Sequence, residues 1–349
     1  MRFIHHPDSL SHRPPTYLVR GEPRPVPEVP ERATALAGQL RLRGVGLDIA
    51  PAYGPAPLTA VHTPDYVAFL ETAHARWIAQ PAASAAVIPN VHPFNRTPSY
   101  PTGIIGQVGY HVFDTAAPIV AGTWVAVRAS ADVAVHAAMV VANGEADAAY
   151  ALCRPPGHHA TRDGAGGFCY LNNAAIAGQS ALPVLAARGM APRIAILDVD
   201  LHHGNGTQDI FYDRDDVLMI SVHADPDAFY PFFSGYRHER GCARGLGYTI
   251  NRPLPLGTEE TPFLEAVGAS LADVARFGPS LLVLSLGFDT FIGDPMATFG
   301  VTTPGFGRLG AMIAQSGLPT VVVQEGGYCV DALPANLAAF LDGFEANRP

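Results

Sequence analysis

Positive charge is scarce in this chain. Its 349 residues hold 22 Lys and Arg against 31 Asp and Glu, a formal net charge of −9, and the basic residues never cluster into a run. Phosphate binding calls for clustered Lys and Arg, so nucleic acid is excluded as the main partner. Cysteine is sparse as well. Cys153, Cys169, Cys242 and Cys329 are scattered with no CxxC pair, which favours neither a disulfide framework nor a cysteine zinc site. Reduced thiols in a cytoplasmic protein are the simplest reading. The opening "MRFIHHPDSLSHRPPTYLV" lacks the apolar core of a signal peptide. Apolar runs such as "LLVLSLGF" are too short to span a bilayer, so no membrane is expected. Neither a solenoid repeat nor a low-complexity linker divides the chain.

What remains is a chain that is 48% apolar and only 15% charged, suited to a large core. Residues 13–30, "RPPTYLVRGEPRPVPEVP", are Pro-rich and read as an extended, loop-like segment. "HTPDYVAFLETAHARWIAQP" reads as a helix. Thr63 caps it, Pro64 suits its first turn, Tyr66, Phe69, Leu70, Ala73 and Trp77 form one stripe, and Pro81 ends it. Residues 81–103 show no periodicity and carry five prolines, yet include Val87, Ile88, Val91, Phe94 and Tyr100. A long structureless loop this apolar is expected to be functional or engaged with a partner.

The second half alternates strand and helix. "DAAYALCRPPGHH", "RIAILDVDLHH", "VLMISVHAD", "SLLVLSLGFDT" and "PTVVVQEGGY" are apolar runs that end in polar residues. Helical stretches such as 172–189 and 259–277 separate most of them. Apolar runs joined by helices predict an α/β domain with a mostly parallel sheet covered on both faces. Ligands of such sheets bind beyond the carboxyl ends of the strands, so the polar endings should converge.

In "ILDVDLHHGNGTQD", Asp198, Asp200 and His202 alternate. If the strand continues through them, they share a face. Asp200 and His202 can bind one ion, and Asp289, closing "LSLGFDT", is the best third ligand. One His and two carboxylates with open positions suit a catalytic Zn²⁺ or Fe²⁺. His158 and His159 follow the rigid turn "CRPPG", where two adjacent imidazoles suit proton transfer. Asp198 and Asn205 are their natural orienting partners. Tyr328, after Gly-Gly at a strand end, can donate to a carbonyl oxygen as it gains charge. "GGFCYLNN" offers a glycine turn at Gly167 followed by Phe168, fit to line a narrow apolar channel. His203 has no role here and is expected to pack behind the cluster.

The motifs "CRPPGHHA", "GGFCYLNNAAIA", "ILDVDLHHGNGTQDIFY", "SLGFDT" and "EGGY" together resemble the signature set of the arginase–deacetylase fold. More narrowly, the chain is similar to bacterial acetylpolyamine amidohydrolases and histone deacetylases. The resemblance implies a single catalytic domain over residues 1–349, with residues 81–103 as a loop insertion. It implies Asp200, His202 and Asp289 as zinc ligands and His158 and His159 as general base and acid, with Asp198 and Asn205 behind them. Tyr328 would polarise the scissile carbonyl, and Phe168 would wall the channel. A structural K⁺ would use Asp198, Asp200, His202, Ser221 and Val222, and a second monovalent site would fall near Phe211 and Val217. The reaction implied is hydrolysis of the N-acyl amide of a small amine, an acetylpolyamine or else an acetyl-lysine. Asn205 stands where some members have Asp, which weakens the charge around His159 and favours His159 as the acid or acid/base.

An arginase-like di-manganese enzyme needs further bridging acids and has no place for "GHH". A non-catalytic module is disfavoured because each catalytic position is filled. The resemblance also implies a homodimer through the long loop, narrowing the channel mouth. Residues 80–113 contain no Asp or Glu, Asp114 being the first. Ile105 and Ala116 stand where the family has acidic gate residues, so Asp225, Asp227 or Glu239 would have to supply charge for a cationic substrate.

Overall fold

The computed structural model describes residues 1–94 and 99–348. Its strands are β1 (Arg2–His5), β2 (Thr16–Val19), β3 (Glu22–Pro25), β4 (Asp48–Ile49), β5 (Ala148–Ala151), β6 (Ile194–Asp198), β7 (Val217–Ala224), β8 (Thr249–Leu254), β9 (Leu281–Leu286) and β10 (Thr320–Gln324). Eight of them form one sheet in the order β4-β1-β5-β10-β9-β6-β7-β8, and β2 and β3 form a separate hairpin. Every pairing within the large sheet is parallel. The expected α/β architecture is therefore present, with a sheet that is wholly parallel.

Side chains alternate across a strand, so a strand covered on both faces needs apolar residues at each position. In β6, Ile194 and Ile196 join one buried cluster with helices Pro64–Ile78, Thr123–Ala142 and Asn173–Ala187. Ala195 and Leu197 join the opposite cluster with helices Pro30–Leu42, Glu260–Phe277, Thr303–Gln315 and Leu333–Ala346. Local chemistry sets the helix ends. The Thr63 hydroxyl accepts from Tyr66 N–H, and Asn172 caps the helix after "GGFCYL" through Ala175 N–H. Helix Thr123–Ala142 is long and apolar enough by length and composition to cross a membrane. Arg128 and Asp132 interrupt its apolar runs, which is why run length alone missed it. In the fold it packs against β5 and helix Asn173–Ala187.

Three expectations change. The Pro-rich segment 13–30 is not simply extended: it contains the β2–β3 hairpin, turned at Arg20 and Gly21, both with positive φ. The loop after Pro81 is anchored. Val87 is fully buried and pairs with Ile119, while Trp77 and His74 side chains bond to the Ser84 and Ala85 carbonyls. Residues 95–98 of that loop lie outside the described residues. Finally, β6 stops at Asp198, so Asp200 and His202 stand on a loop rather than on a continuing strand.

The segment before the first long helix also holds the sheet end together. Glu28 is buried and pairs with Arg32 at 2.7 Å and Arg154 at 2.9 Å. Arg32 donates to the carbonyls of Glu325 and Gly327, and Arg154 to those of Ser9 and His12. The two turns that follow β5 and β10 are thus tied to one carboxylate. Removing one partner of a buried ion pair leaves uncompensated charge, at a cost of about 3–5 kcal/mol. Glu28→Ala is therefore expected to lower unfolding free energy by about that amount in a urea titration. A loss below about 1 kcal/mol would show that the triad does not hold these turns.

Candidate active site

Strands β5, β10, β9 and β6 are neighbours in the sheet, and the turns beyond their carboxyl ends meet at one place. Beyond β6 the backbone has lost its ladder, and short acidic side chains replace it. Asp198 Oδ1 accepts from Asp200 N–H at 3.1 Å, and Asp200 Oδ1 accepts from His202 N–H at 2.9 Å. The folded-back loop brings Asp200 and His202 to Asp289, which follows β9 and accepts from Leu201 N–H. One ligand atom from each of the three lies within 4.8 Å of the others. His202 Nδ1 sits 3.2 Å from Asp200 and 3.1 Å from Asp289. Gly326, beyond β10, donates its N–H to Asp200 at 2.8 Å. A Cβ at Gly326 would lie 2.4 Å from Asp289 Oδ2, so glycine is required by close approach.

The electrostatics of this trio call for a cation. Burial pushes the Asp289 carboxyl up, and neighbouring Asp200 pushes it further. Burial would lower His202, but hydrogen bonds to Asp200 and Asp289 raise it to about 9. Two buried carboxylates and an imidazole nitrogen converge without enough positive charge between them. Such a set of one nitrogen and hard oxygens fits a divalent transition metal.

His158 and His159 lie above the trio, their rings 4.0 Å apart. His158 Nδ1 is 2.9 Å from Asp198, and His159 Nδ1 is 2.6 Å from Asn205 Oδ1. An amide oxygen can only accept, so His159 carries its hydrogen on Nδ1 and leaves Nε2 free. Burial lowers His158, but Asp198 and Asp200 outweigh it and raise the ring to about 10. His159 is driven well below the usual range by burial and by His158 and His202. The two rings are thus pushed in opposite directions. The expectation that His159 serves as acid or acid/base meets a ring whose partner is the neutral Asn205 amide, while the Asp198 carboxylate lies on His158.

A channel of about 350 Å³ reaches His159, His202 and Tyr328 from the surface, between Tyr17, Phe168, Tyr230, Phe232 and Met296. Tyr328 is nearly buried and stays protonated, since burial and then Asp289 raise its phenol well above the usual range. Asp294 accepts from Tyr328 N–H at 2.5 Å and Cys329 N–H at 2.8 Å and fixes that turn. Phe168 has φ +66°, unusual for a side-chain-bearing residue, and packs edge-on to Tyr328 and Tyr17. Gly167 beside it has φ +54°, and a Cβ there would strike the His159 ring.

Other expected residues divide. Ser221 pairs with Asp198 across β6 and β7, and Val222 follows it, fully buried. Val217 starts β7 and Phe211 ends helix Asn205–Phe211, away from the metal trio toward the other end of that strand. His203 is buried behind the cluster against His223, as expected. Asp225, Asp227 and Glu239 do not line the channel. Glu239 is engaged by Gln208 and Gly235, so it is not a free rim charge.

Sequence reasoning missed Glu325, whose carboxylate accepts from Gly157 and His158 N–H at 2.7 and 3.2 Å. Burial and Asp198 raise it to about 7, against the pull of His158. An acid closing an apolar run was the signal, the same one that marked Asp198 and Asp289. Asp114 and Tyr230 were also missed. Asp114 was visible only as the first acid after a long acid-free stretch.

Comparison with known proteins agrees with this geometry. Residues 26–344 match the histone deacetylase domain. The chain is 48% identical over 344 residues to an acetylpolyamine amidohydrolase of Burkholderia pseudomallei, covering 98% of each chain. It is 44% identical to acetylpolyamine amidohydrolase 1 of Pseudomonas aeruginosa, covering 99% of each. A crystal structure of the acetylpolyamine aminohydrolase from Burkholderia pseudomallei superposes with a TM-score of 0.94 at 47% identity, covering both chains fully. The chain accordingly belongs to the histone deacetylase domain family and is an amidohydrolase acting on amide carbon–nitrogen bonds.

Proposed function

We propose that this enzyme is a metal-dependent deacetylase of small acetylated amines, with an acetylpolyamine such as N-acetylputrescine or N-acetylcadaverine as substrate. The observation that carries the reading is the convergence of the Asp200–His202–Asp289 trio, the split histidine pair and Tyr328 on one narrow aromatic channel. The names of the relatives supply the polyamine class.

Asp200, His202 and Asp289 would hold Zn²⁺ or Fe²⁺, which supplies Lewis acidity to the acyl carbonyl and to water. Tyr328 donates its phenol hydrogen to the carbonyl oxygen as negative charge develops there. His159, neutral and with Nε2 free, accepts the proton of the attacking water. His158, kept cationic by Asp198, stabilises the developing negative charge and delivers a proton to the leaving amine. Glu325 holds the backbone of the histidine turn in place.

One observation favours a second reading, an acetyl-lysine peptide. The channel lining includes Arg20 and Ala116, and its one carboxylate, Asp114, is already hydrogen-bonded. We also propose that a second copy of this chain covers Val91, Phe94, Tyr100 and Ile105, which are exposed in and just beyond the long loop. The Phe94 side chain is 99% exposed, which a monomer has no reason to present.

Turnover of N-acetylputrescine, N-acetylcadaverine and an acetyl-lysine peptide by one metal-loaded preparation distinguishes the substrates. The acetylated diamines should be cleaved best, and cleavage of the peptide alone sinks the polyamine assignment. In the same assay Tyr328→Phe is expected to lower kcat by about 10²–10³ with metal content unchanged, and equal activity contradicts the mechanism. Asn205→Asp places a carboxylate on His159 and raises its pKa by about one unit or more. A base works only when neutral, so its activity is lost as pH falls through that pKa. The acid limb of kcat/KM in Asn205→Asp should therefore move to higher pH, and an unmoved limb excludes His159 as base. For the dimer, Phe94→Asp should yield monomer in sedimentation equilibrium where the unaltered chain is dimeric. A wild-type monomer removes that proposal.

A further inference from the structure

The β2–β3 hairpin runs along the channel and ends in a charged turn. Tyr17, Leu18, Val19 and Arg20 all line the channel. The Tyr17 ring packs edge-on to Phe168 at 5.3 Å, and Phe168 packs on Tyr328 at 5.8 Å, so Tyr17 lies one ring away from the phenol of the candidate site. Arg20 follows three residues later, a distance of about 10 Å at the rise of a strand. Arg20 and Phe232 are the exposed members of the lining, whereas His159, Phe168, His202 and Tyr328 are buried. The turn therefore stands at the solvent end of the channel. It is held there by Thr115, whose carbonyl accepts from Leu18 N–H and whose hydroxyl donates to the Leu18 carbonyl at 3.1 Å.

Arginine is an unusual residue for this turn. Val19 pairs with Glu22, leaving Arg20 and Gly21 as the two central residues, and both have positive φ, +53° and +84°. Such turns favour Asn, Asp or Gly, because a larger side chain strains the left-handed region. Arg20 carries that strain without a local partner: among the described residues nothing accepts from its guanidinium. The guanidinium stays charged and presents its donors in a rigid fork. Asp114, the one carboxylate of the lining, is already taken by Tyr230, Gly167 and Ala116. The channel thus offers an apolar passage and, beyond it, a cation whose donors are open.

We propose that Arg20 forms a carboxylate subsite, so that the enzyme also hydrolyses N-acetyl amides whose amine chain ends in a carboxylate, the acylated ω-amino acids. The inference rests on the deacetylase reading of the channel and adds a second substrate class to it. The acyl group sits at the metal trio and Tyr328, the methylene chain lies along Tyr17 and Phe168, and the carboxylate meets the guanidinium. Water oxygen joins the acyl carbon, the carbon–nitrogen bond breaks and the nitrogen takes a proton, giving acetate and the free amino acid. An arginine fork matches a planar carboxylate with two parallel N–H bonds. The contact is remote from the reacting atoms and equal in ground and transition states, so it acts on KM rather than kcat. Its exposure to solvent limits the effect to about three- to tenfold.

Three amides with the same pentamethylene spacer test this. N-acetyl-ε-aminocaproate ends in a carboxylate, N-acetylcadaverine in an ammonium and N-acetylhexylamine in a methyl group. kcat/KM is measured for each in the metal-loaded wild type, Arg20→Asn and Arg20→Glu. The wild type should favour the carboxylate over the methyl end by about three- to tenfold, through KM. Arg20→Asn removes the charge and suits the turn better, so it should bring those two ends to equal kcat/KM in a chain that still folds. Arg20→Glu should reverse the preference and lower KM for N-acetylcadaverine. Added salt should shrink the wild-type advantage, as it does for an exposed charge pair. A carboxylate advantage that survives in Arg20→Asn, or its absence from the wild type, overturns the subsite while the deacetylase reading stands. A wild type that cleaves none of the three amides overturns that reading as well.

Discussion

Four carboxylates, Asp198, Asp200, Asp289 and Glu325, are buried together beyond the ends of three adjacent strands, and the site is organised around keeping them there. Burying an unpaired charge is costly, so each must be met by donors. The donors are largely backbone N–H groups released where the parallel ladder ends. Asp198 takes Asp200, Asp200 takes His202 and Gly326, Asp289 takes Leu201, and Glu325 takes Gly157 and His158. Each bond also fixes a turn, so the network that solvates the acids places the side chains of the candidate site. What it leaves short is positive charge, visible in the raised Asp289 and His202. A divalent cation held by the trio would fill that shortage, and Asp198 and Asp200 draw His158 toward its charged form. Glu28 works from the opposite side, where it compensates Arg32, which holds the turn beyond β10 through its carbonyls, and Arg154 of the turn beyond β5, which donates to the Ser9 and His12 carbonyls.

The metal trio and the histidine pair were legible because strand ends advertise themselves. An unbroken apolar run that stops at Asp, His or Glu-Gly-Gly has no packing reason to do so, and parallel order makes such endings converge. Asp200 and His202 come together with Asp289 by a route the sequence did not suggest. They meet Asp289 through carboxylate-capped turns of the loop, whereas strand alternation ends at Asp198. The division of labour between His158 and His159 was not legible. It depends on which ring faces Asp200 and Asp198 and which faces a second imidazole, and that is set by three-dimensional packing. The β2–β3 hairpin hid behind Pro15, Pro23 and Pro25 at or beside its strands, and helix Ile104–His111 hid behind glycines that interrupt its pattern. Asp114 and Tyr230, 116 residues apart, carried no pattern at all.

The channel also bears on how an enzyme with an acid-poor mouth could handle a cationic substrate. Its walls are Tyr17, Phe168, Tyr230, Phe232 and Tyr328, rings whose faces attract an organic cation without a carboxylate. The net charge of −9 draws cations toward the molecule from a distance. Yet ring faces accept a methylene chain as readily as an ammonium, so such walls discriminate weakly by charge. Arg20 at the mouth weakens it further. Selection must then come from shape, and shape is only as sharp as the walls are rigid. In this chain rigidity comes from a carboxylate turned into the wall: Asp114 accepts Tyr230, Gly167 and Ala116. The one acid lining the channel thus holds the channel's form.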